Sequence, residues 1–207
     1  MRNIVALATL VLVLATAFDA SAQWTSRRVQ RTGGELTVGG GLNMCMDSGD
    51  DNCDDMDSSF AILVSPGFRM SDIIGFYLDA NYSRLGGDGI DSWAHLSLMP
   101  TARFFAILQG AELFFGAGVG YARIDKETEG GGEVSWTNYL NMKLNVGGAF
   151  KVAPSMDIGV NLDYIFNADG AGEVCTSTGG EGKSCEDNEK EDLIDLLQIM
   201  AFAKFHF

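Results

Sequence analysis

Alternation of apolar side chains with polar or small ones recurs through most of this sequence, and it constrains the fold more than any other feature. Over residues 35–46, even positions are mostly apolar, and odd positions are mostly polar or glycine. A period of two puts these sets on opposite faces of a β-strand. Seven further runs show the same pattern, over residues 59–70, 76–83, 93–104, 112–123, 136–152, 156–166 and 193–207. The sequence therefore predicts an all-β domain of about eight strands.

The links between these runs alternate in length. Short links follow the second, fourth and sixth runs, at residues 71–75, 105–111 and 153–155. The links after the odd-numbered runs are longer, polar and rich in glycine. Short turns at one end and long loops at the other are typical of outer-membrane barrels, and strands of about ten residues match the tilted span that a bilayer requires.

Aromatic side chains sort to both ends of the predicted outward face. One belt lies near the short turns and consists of Phe68, Phe76, Phe104, Phe150 and Phe205. The other lies near the long loops and consists of Phe60, Tyr82, Tyr121, Trp136, Tyr164 and Phe166. Two such girdles mark the membrane interfaces of a transmembrane barrel. We therefore predict a closed, antiparallel, up-and-down transmembrane β-barrel, whose first and last strands pair because lipid cannot satisfy an open sheet edge.

The N-terminal segment has the features of a secretory signal peptide. A short basic start at residues 1–3 precedes an apolar stretch over residues 4–18, and Ala20-Ser21-Ala22 forms an A-x-A cleavage site. We predict a signal peptide over residues 1–22, a short periplasmic segment over residues 23–34, and the barrel domain over residues 35–207. After cleavage, the protein would be integral to the cell outer membrane.

Three segments resemble known outer-membrane barrels. Residues 201–207 alternate apolar residues and end in the aromatic pair Phe205 and Phe207, which resembles the C-terminal signal read by the barrel-assembly machinery. Residues 116–122 and 98–104 resemble strands of the small OmpA-type and OmpW-type barrels. The resemblance implies a barrel without cofactor. Its implied partners are the assembly machinery during biogenesis, outer-membrane lipid and lipopolysaccharide.

Charged residues occupy many of the predicted inward positions. An eight-stranded barrel encloses only enough space for its own side chains, and a buried charge is costly unless it is paired. The sequence favours a salt-bridged interior with a structural or interaction role, and alternatively a narrow porin-like channel or carrier of small or apolar solutes. The predicted network consists of Glu35, Arg69, Asp79, Arg103, Lys143, Lys151, Asp157, Asp163 and Lys204. Inward glycines are expected to leave room for large neighbours such as Arg103 or Phe202.

His95 and Ser97 form the one pair that resembles a catalytic site, since lipid A deacylases use a histidine and a serine two residues apart on the barrel exterior. Alternation turns both residues inward here, and no acidic partner is evident. A lumen hydrogen bond is favoured over a lipid-modifying enzyme. We therefore expect no enzymatic activity.

The net charge of −14 comes mainly from the predicted long loops, which hold most of the 28 acidic residues. Such a chain would repel nucleic acid. Asp50, Asp51, Asp54, Asp55 and Asp57 form an acidic run whose oxygens suit divalent cations. Their spacing does not match a known calcium loop, so a solvated loop is favoured and divalent cations are only candidate partners.

All four cysteines, Cys45, Cys53, Cys175 and Cys185, lie at or near the loop side. An even number of cysteines in a secreted chain predicts disulfides. Bonds within each loop, Cys45 with Cys53 and Cys175 with Cys185, are the first expectation. Pairing between the two loops stays open, because both loops flank the seam of the barrel.

Overall fold

The structure is a computed structural model that describes residues 32–46, 53, 56–87, 90–108, 110–128, 132–169, 173–178, 184–187 and 195–207. The predicted signal peptide and most of the predicted periplasmic segment lie outside these residues. So do all of the acidic residues at positions 47–55. Within the described part, no helix has the length and apolar character needed to cross a membrane.

The described chain forms eleven strands in one antiparallel sheet. They are β1 (Gly33–Met46), β2 (Met56–Asp57), β3 (Ser59–Arg69), β4 (Ile74–Gly87), β5 (Ile90–Leu108), β6 (Ala111–Thr128), β7 (Gly132–Ala153), β8 (Met156–Asp169), β9 (Glu173–Thr178), β10 (Ser184–Asp187) and β11 (Asp195–His206).

Eight of these strands close into a barrel. Consecutive members pair in the order β1, β3, β4, β5, β6, β7, β8 and β11, and β11 then pairs with β1. At this seam, the register runs from Glu35 opposite His206 to Met46 opposite Asp195. The predicted closed barrel and the pairing of its first and last strands are confirmed. Each of the eight sequence runs corresponds to one barrel strand.

The barrel is apolar outside and polar inside. Leu42, Leu98 and Leu144 face outward with more than half of their surface exposed, at 56%, 51% and 54%. Their inward neighbours Asn43 and Lys143 are completely buried, at 0% exposure each. This arrangement inverts that of a water-soluble sandwich, and it suits a surface that faces lipid.

Both aromatic belts lie on the outward face as predicted. At the short-turn end, Phe68, Phe76, Phe104 and Phe205 are exposed, and Phe150 is half-buried. Phe104 stacks on Phe115 of the next strand, with ring centroids 5.2 Å apart. At the loop end, Phe60, Tyr82 and Tyr121 are exposed, while Tyr164 and Phe166 stack with ring centroids 5.7 Å apart. The Trp136 side chain lies outside the described part.

The loop-side ends of the strands differ from the sequence prediction. The run predicted over residues 136–152 is strand β7, which begins at Gly132 and extends beyond the span that it shares with β8. Its upper part, residues 132–137, pairs instead with β9, and β9 pairs with β10. The long link predicted between the runs over residues 156–166 and 193–207 therefore contains two strands. They form because the exposed edge of β7 presents backbone groups that need partners.

Two disulfides occur at the loop side, each within one connection. Cys45 at the end of β1 bonds Cys53, with Cα atoms 5.6 Å apart. Cys175 of β9 bonds its register partner Cys185 of β10, with Cα atoms 4.0 Å apart. The connectivity matches the first expectation from the sequence. Each bond ties loop-side structure to itself rather than to another barrel strand.

Two inward glycines allow neighbouring strands to approach closely. A Cβ atom at Gly41 would lie 1.9 Å from the Ile199 carbonyl oxygen on β11. A Cβ atom at Gly120 would lie 2.1 Å from the Leu98 carbonyl oxygen on β5. Backbone atoms cannot move aside as a flexible side chain can. Any larger residue at these positions must therefore push two paired strands apart.

The first prediction concerns Gly120. Gly120→Val should destabilise the barrel by about 1–3 kcal/mol, the usual cost of overpacking a close-packed site. The matched control is Gly86→Val, because a Cβ atom at Gly86 meets nothing within 4 Å. Urea unfolding of the refolded proteins in lipid vesicles provides the measurement. Equal midpoints for the two variants would contradict the close approach of β5 and β6.

The second prediction concerns the disulfides. Reduction should leave the β-sheet spectrum and membrane insertion intact, because the barrel is held by its closed backbone hydrogen bonds. Protease sensitivity should rise near Asp50 and Gly179, since bonds closing such short loops contribute roughly 2–3 kcal/mol to ordering them. Mass spectrometry of the intact, unreduced protein should find no free thiol. Loss of the whole β-sheet signal on reduction would show that the bonds also hold the barrel.

Candidate functional site

The barrel interior is the candidate site, and its side chains form layers along the barrel axis. Inward positions alternate with outward ones on every strand, so inward residues from several strands meet at each level. From the short-turn end to the loop end we distinguish a rim charge cluster, an aromatic layer, a central charge cluster, a neutral polar layer and an apolar cap. Each layer is defined by its residues below.

The rim charge cluster consists of Glu35, Arg69, Glu112, Asp157, Lys204 and His206. Glu112 accepts charged hydrogen bonds from both Arg69 and Lys204. The Arg69 Nη1 atom also lies 3.8 Å from Glu35 Oε1. One carboxylate therefore joins cations from β3 and β11, which belong to opposite sides of the seam strand β1.

Arg69 also fixes the first short turn. Its Nε atom donates to the Ser71 carbonyl at 3.2 Å, and its Nη2 atom donates to the Asp72 carbonyl at 3.0 Å. The guanidinium carbon lies 3.8 Å from the centroid of the Phe105 ring. This geometry combines hydrogen bonds along the guanidinium edge with stacking on its face, a combination that lysine cannot supply.

His206 joins three strands at the same end of the barrel. Its Nδ1 atom lies 3.1 Å from Glu35 Oε1 on β1, and its Nε2 atom lies 2.9 Å from Asp157 Oδ2 on β8. The Tyr77 hydroxyl donates a hydrogen bond to Glu35 as well. Because His206 itself belongs to β11, it connects this strand to both of its neighbours, β1 and β8.

The aromatic layer separates the two charge clusters and consists of Tyr77, Phe105, Phe114 and Phe202. The centroid distances are 6.2 Å from Tyr77 to Phe105, 6.1 Å from Phe105 to Phe114 and 5.9 Å from Phe114 to Phe202. All four residues are buried. The rings therefore form a continuous row across the interior.

Glycines provide the room for these large residues. A Cβ atom at Gly159 would lie 2.5 Å from the Phe202 ring, and one at Gly39 would lie 3.1 Å from the Phe202 Cβ atom. A Cβ atom at Gly116 would lie 3.0 Å from Arg103 Cγ. The sequence prediction that inward glycines leave space for Arg103 and Phe202 agrees with this packing.

The central charge cluster is built around Asp79. Its carboxylate accepts hydrogen bonds from Arg103 Nη2 at 2.7 Å, from Thr101 at 2.9 Å, and from Ser65 and Lys143. Lys143 also lies 3.6 Å from Asp163 Oδ2, and Asp163 accepts a hydrogen bond from Asn161 at 2.8 Å. Every residue of this cluster is buried.

A cavity of about 10 Å³ lies beside the aromatic layer and is also lined by residues of both charge clusters. This volume suits a single water molecule. Its lining includes Arg103 and Lys204, one cation from each cluster, together with Phe105, Phe114 and Phe202. Arg103 lies over the Tyr77 ring at 4.3 Å, so the same cation contacts both the aromatic layer and Asp79.

Towards the loops, charge gives way to neutral and then to apolar side chains. The neutral polar layer consists of Asn43, Asn81, Ser83, His95, Ser97, Asn141 and Gln198, all buried. The apolar cap consists of Leu85, Trp93, Ala122, Ile124, Ile165 and Leu196, which form one hydrophobic cluster with the deeper Met99, and the Cys45–Cys53 disulfide packs against this cluster. In the described part of the chain, the loop-side mouth is therefore lined by apolar groups.

The structure brings most of the predicted network residues together, but in two clusters rather than one. Glu35, Arg69, Asp157 and Lys204 lie in the rim cluster, and Asp79, Arg103, Lys143 and Asp163 lie in the central cluster. The expectation for Lys151 is not met, because Lys151 is exposed. Strand β7 has reached the end of the barrel there, next to an irregularity in its pairing with β8.

Two interior residues were missed from the sequence. The alternation that places Phe114 inside also places Glu112 inside. Glu112 stands at the start of its run, however, where a residue of the preceding turn fits the sequence equally well. His206 follows Lys204 by two positions, so the same alternation places it inside. With both included, the described interior holds five buried carboxylates, four buried Lys or Arg side chains and the half-buried His206.

The other candidate sites can also be located. His95 and Ser97 both point inward and are buried, and a His95 ring nitrogen lies 3.1 Å from Asn141 Nδ2. Asp57 is exposed, whereas Asp50, Asp51, Asp54 and Asp55 lie outside the described residues. Across the described ranges, no three His, Cys, Asp or Glu residues are arranged to hold a metal ion.

Comparison with known proteins identifies the fold. No protein-family model and no curated protein sequence matches this chain. Among solved structures, Neisserial surface protein A has 15% identity and a TM-score of 0.60, with 84% of this chain and 97% of that one covered. OprG from Pseudomonas aeruginosa has 12% identity and a TM-score of 0.53, covering 86% of this chain and 98% of that one.

Ail, the attachment invasion locus protein of Yersinia pestis, gives a similar result. It has 13% identity and a TM-score of 0.53, with 86% of this chain and 99% of that one covered. Identities at this level establish a shared fold and nothing finer. Together with the closed sheet and its inverted polarity, they show that this chain has the fold of the small eight-stranded outer-membrane β-barrels.

Proposed function

We propose that this protein is an outer-membrane barrel with a closed interior, and that it acts through its acidic loops and outer surface in a structural or interaction role. The observation that carries the proposal is the stack of two ion-paired clusters with an aromatic layer between them. The cavity between them has room for about one water molecule. We also propose that the protein has no enzymatic activity, since His95 and Ser97 face this filled interior.

The pairing of the interior charges supports a closed state. Asp79 has two cationic partners, Arg103 and Lys143, and Glu112 also has two, Arg69 and Lys204. Opening a water-filled passage would require several of these contacts to separate at once. Each broken pair would leave charges in a low-dielectric interior, where an unpaired ion costs several kcal/mol.

The partners that fit this role contact the protein from outside the barrel. Outer-membrane lipid and lipopolysaccharide match the apolar outward face, and the barrel-assembly machinery matches the C-terminal Phe205 and Phe207. Both phenylalanines are exposed on the outward side, Phe207 at 81%. The acidic loop residues are candidates for divalent cations, and the net charge of −14 disfavours nucleic acid.

A small channel is the second candidate function, because the interior is polar over much of its length. A channel needs a continuous path past the aromatic layer and the apolar cap. Movement of the side chains of Phe105 and Phe114, which line the cavity, would have to create that path. A measurement of ion conductance distinguishes a closed barrel from a channel directly.

The third prediction is that the refolded protein shows no steady large conductance in planar bilayers. Asp79→Ala should raise the frequency of small, brief openings, because it leaves Arg103 and Lys143 without their shared carboxylate. Asp125→Asn, which removes an acid that is partly exposed on the outer surface, should behave like the wild type. Stable openings of nanosiemens size in the wild type would favour the channel over the closed barrel.

The fourth prediction compares two charged residues at the same end of the barrel. Glu112→Gln should destabilise the barrel by about 3–5 kcal/mol, because Arg69 and Lys204 lose a shared buried partner. Lys151→Gln should change stability by less than about 0.5 kcal/mol, since Lys151 is exposed. Urea unfolding in lipid vesicles measures both. Equal effects would contradict the rim charge cluster.

A further inference from the structure

Strands β4 and β6 carry the same ten-residue pattern on their outward face. Residues 76–85 and 115–124 both read Phe-x-aliphatic-x-aliphatic-x-Tyr-x-Arg-aliphatic. In each copy, the phenylalanine, the tyrosine and the arginine point outward, and the final aliphatic residue points into the apolar cap. The matching positions are Phe76, Tyr82 and Arg84 on β4, and Phe115, Tyr121 and Arg123 on β6.

The two copies flank a single strand, β5. Tyr82 and Arg123 both pair in register with Leu96, one from each side. Arg84 is the register partner of Ala94, and Tyr121 is the register partner of Leu98. Because neighbouring strands are about 4.8 Å apart, the two arginine-bearing backbones lie roughly 10 Å from each other. Their long side chains can therefore reach one ligand above the surface of β5.

The height of the two arginines places them at the edge of the apolar surface. Each lies eight positions beyond the phenylalanine of its own strand in the short-turn belt. Eight residues span about 26 Å along a strand, or roughly 20 Å along the axis of a tilted barrel. The lipid-facing band of such barrels is about 25 Å tall. Each arginine therefore lies two positions above a tyrosine, near the loop-side interface.

Apart from Lys151 at the short-turn end of β7, no other Lys or Arg of the eight barrel strands has an exposed side chain, as far as the structure describes them. The chain as a whole has a net charge of −14. Two outward arginines on the strands that flank β5 are therefore exceptional for this protein. Between them, β5 presents an apolar outward strip that includes Leu96 and Leu98, both about half exposed.

We propose that Arg84 and Arg123 bind a phosphate-bearing lipid of the outer leaflet, with its acyl chains lying along the outward strip of β5. Guanidinium groups suit phosphate because they donate parallel hydrogen bonds and remain charged. Tyrosine side chains are favoured at a membrane interface, where one end of the ring is apolar and the other is wet. The site thus combines a headgroup contact with an acyl-chain contact.

Asp125 belongs to the same surface and positions one of the arginines. Arg123 donates to Asp125 Oδ1 from Nε at 2.9 Å and from Nη2 at 2.8 Å. This carboxylate lies opposite Ala94, two positions further towards the loops than Arg123. Asp125 is thus level with Arg84, which pairs with Ala94 from the other side of β5. The site lies outside the barrel, so it does not depend on whether the interior conducts.

The test uses the full-length mature barrel refolded in phosphatidylcholine vesicles that contain a small fraction of bisphosphorylated lipid A. Native mass spectrometry after release into detergent counts the lipid A molecules that each barrel retains. Arg84→Gln and Arg123→Gln should each weaken retention about fivefold, the effect expected of one basic residue near an anionic lipid surface. The double variant should lose about 25-fold.

Controls separate a lipid site from general charge effects and from free phosphate. Lys151→Gln removes an exposed cation from the other end of the barrel and should leave retention unchanged. Lipid A without phosphates should bind the wild type and the double variant equally weakly, and excess inorganic phosphate should not displace the bound lipid. Heat-dependent migration on gels verifies that each variant is folded, and the two single variants serve if the double variant does not fold.

Three results would overturn the proposal. The first is retention of bisphosphorylated lipid A by the arginine variants at the wild-type level. The second is equal retention of phosphorylated and dephosphorylated lipid A by the wild type. The third is displacement of the lipid by inorganic phosphate, which would identify a site for the free anion. None of these outcomes bears on conductance. The proposal of a closed interior is therefore tested separately, by the conductance measurement.

Discussion

The backbone hydrogen bonds between β1 and β11 are the interaction on which the rest of this structure depends. A bilayer offers no partner for an unpaired N–H or C=O group, so a sheet can remain in lipid only if its two edges meet. The register from Glu35 opposite His206 to Met46 opposite Asp195 closes the edge along the whole of β11. The inward glycine Gly41 serves this closure, because it lets the backbones of β1 and β11 approach closely, as Gly120 does for β5 and β6.

Closure with only eight strands determines what the interior can contain. The space inside is narrow enough for side chains to fill, and a charge placed there is costly unless it is paired. The ion pairs of Asp79 and Glu112 meet this requirement in two separate layers, and the row of rings from Tyr77 to Phe202 packs between them. An interior organised in this way supports a barrel that acts through its outside. The proposed lipid site on β4 and β6 uses part of that outer surface.

Much of the fold was predictable because the relevant information is local. Alternation identifies a strand and assigns each of its residues to a face, so the outward belts and the inward parity of Arg69, Asp79, Arg103 and Lys143 followed directly. The alternation along a strand does not show how far along the barrel axis a residue lies. Lys151 has inward parity but lies at the open end, and Glu112 has the same parity but lies inside. The hairpin of β9 and β10 was missed for a related reason, since its pairing partner is the far end of β7.

The sequence by itself determined the class of fold, the number of barrel strands, the face on which each side chain lies and the local pairing of the cysteines. Each of these depends on the spacing of residues that are close in sequence. That spacing can be read directly from the alternation along a strand or from the length of a short loop. Only the tertiary structure decided that the interior charges divide into two clusters, that His206 bridges Glu35 and Asp157, and that Arg84 and Arg123 flank β5. Those contacts depend on the register between strands that are distant in sequence, and the sequence of one strand does not show that register.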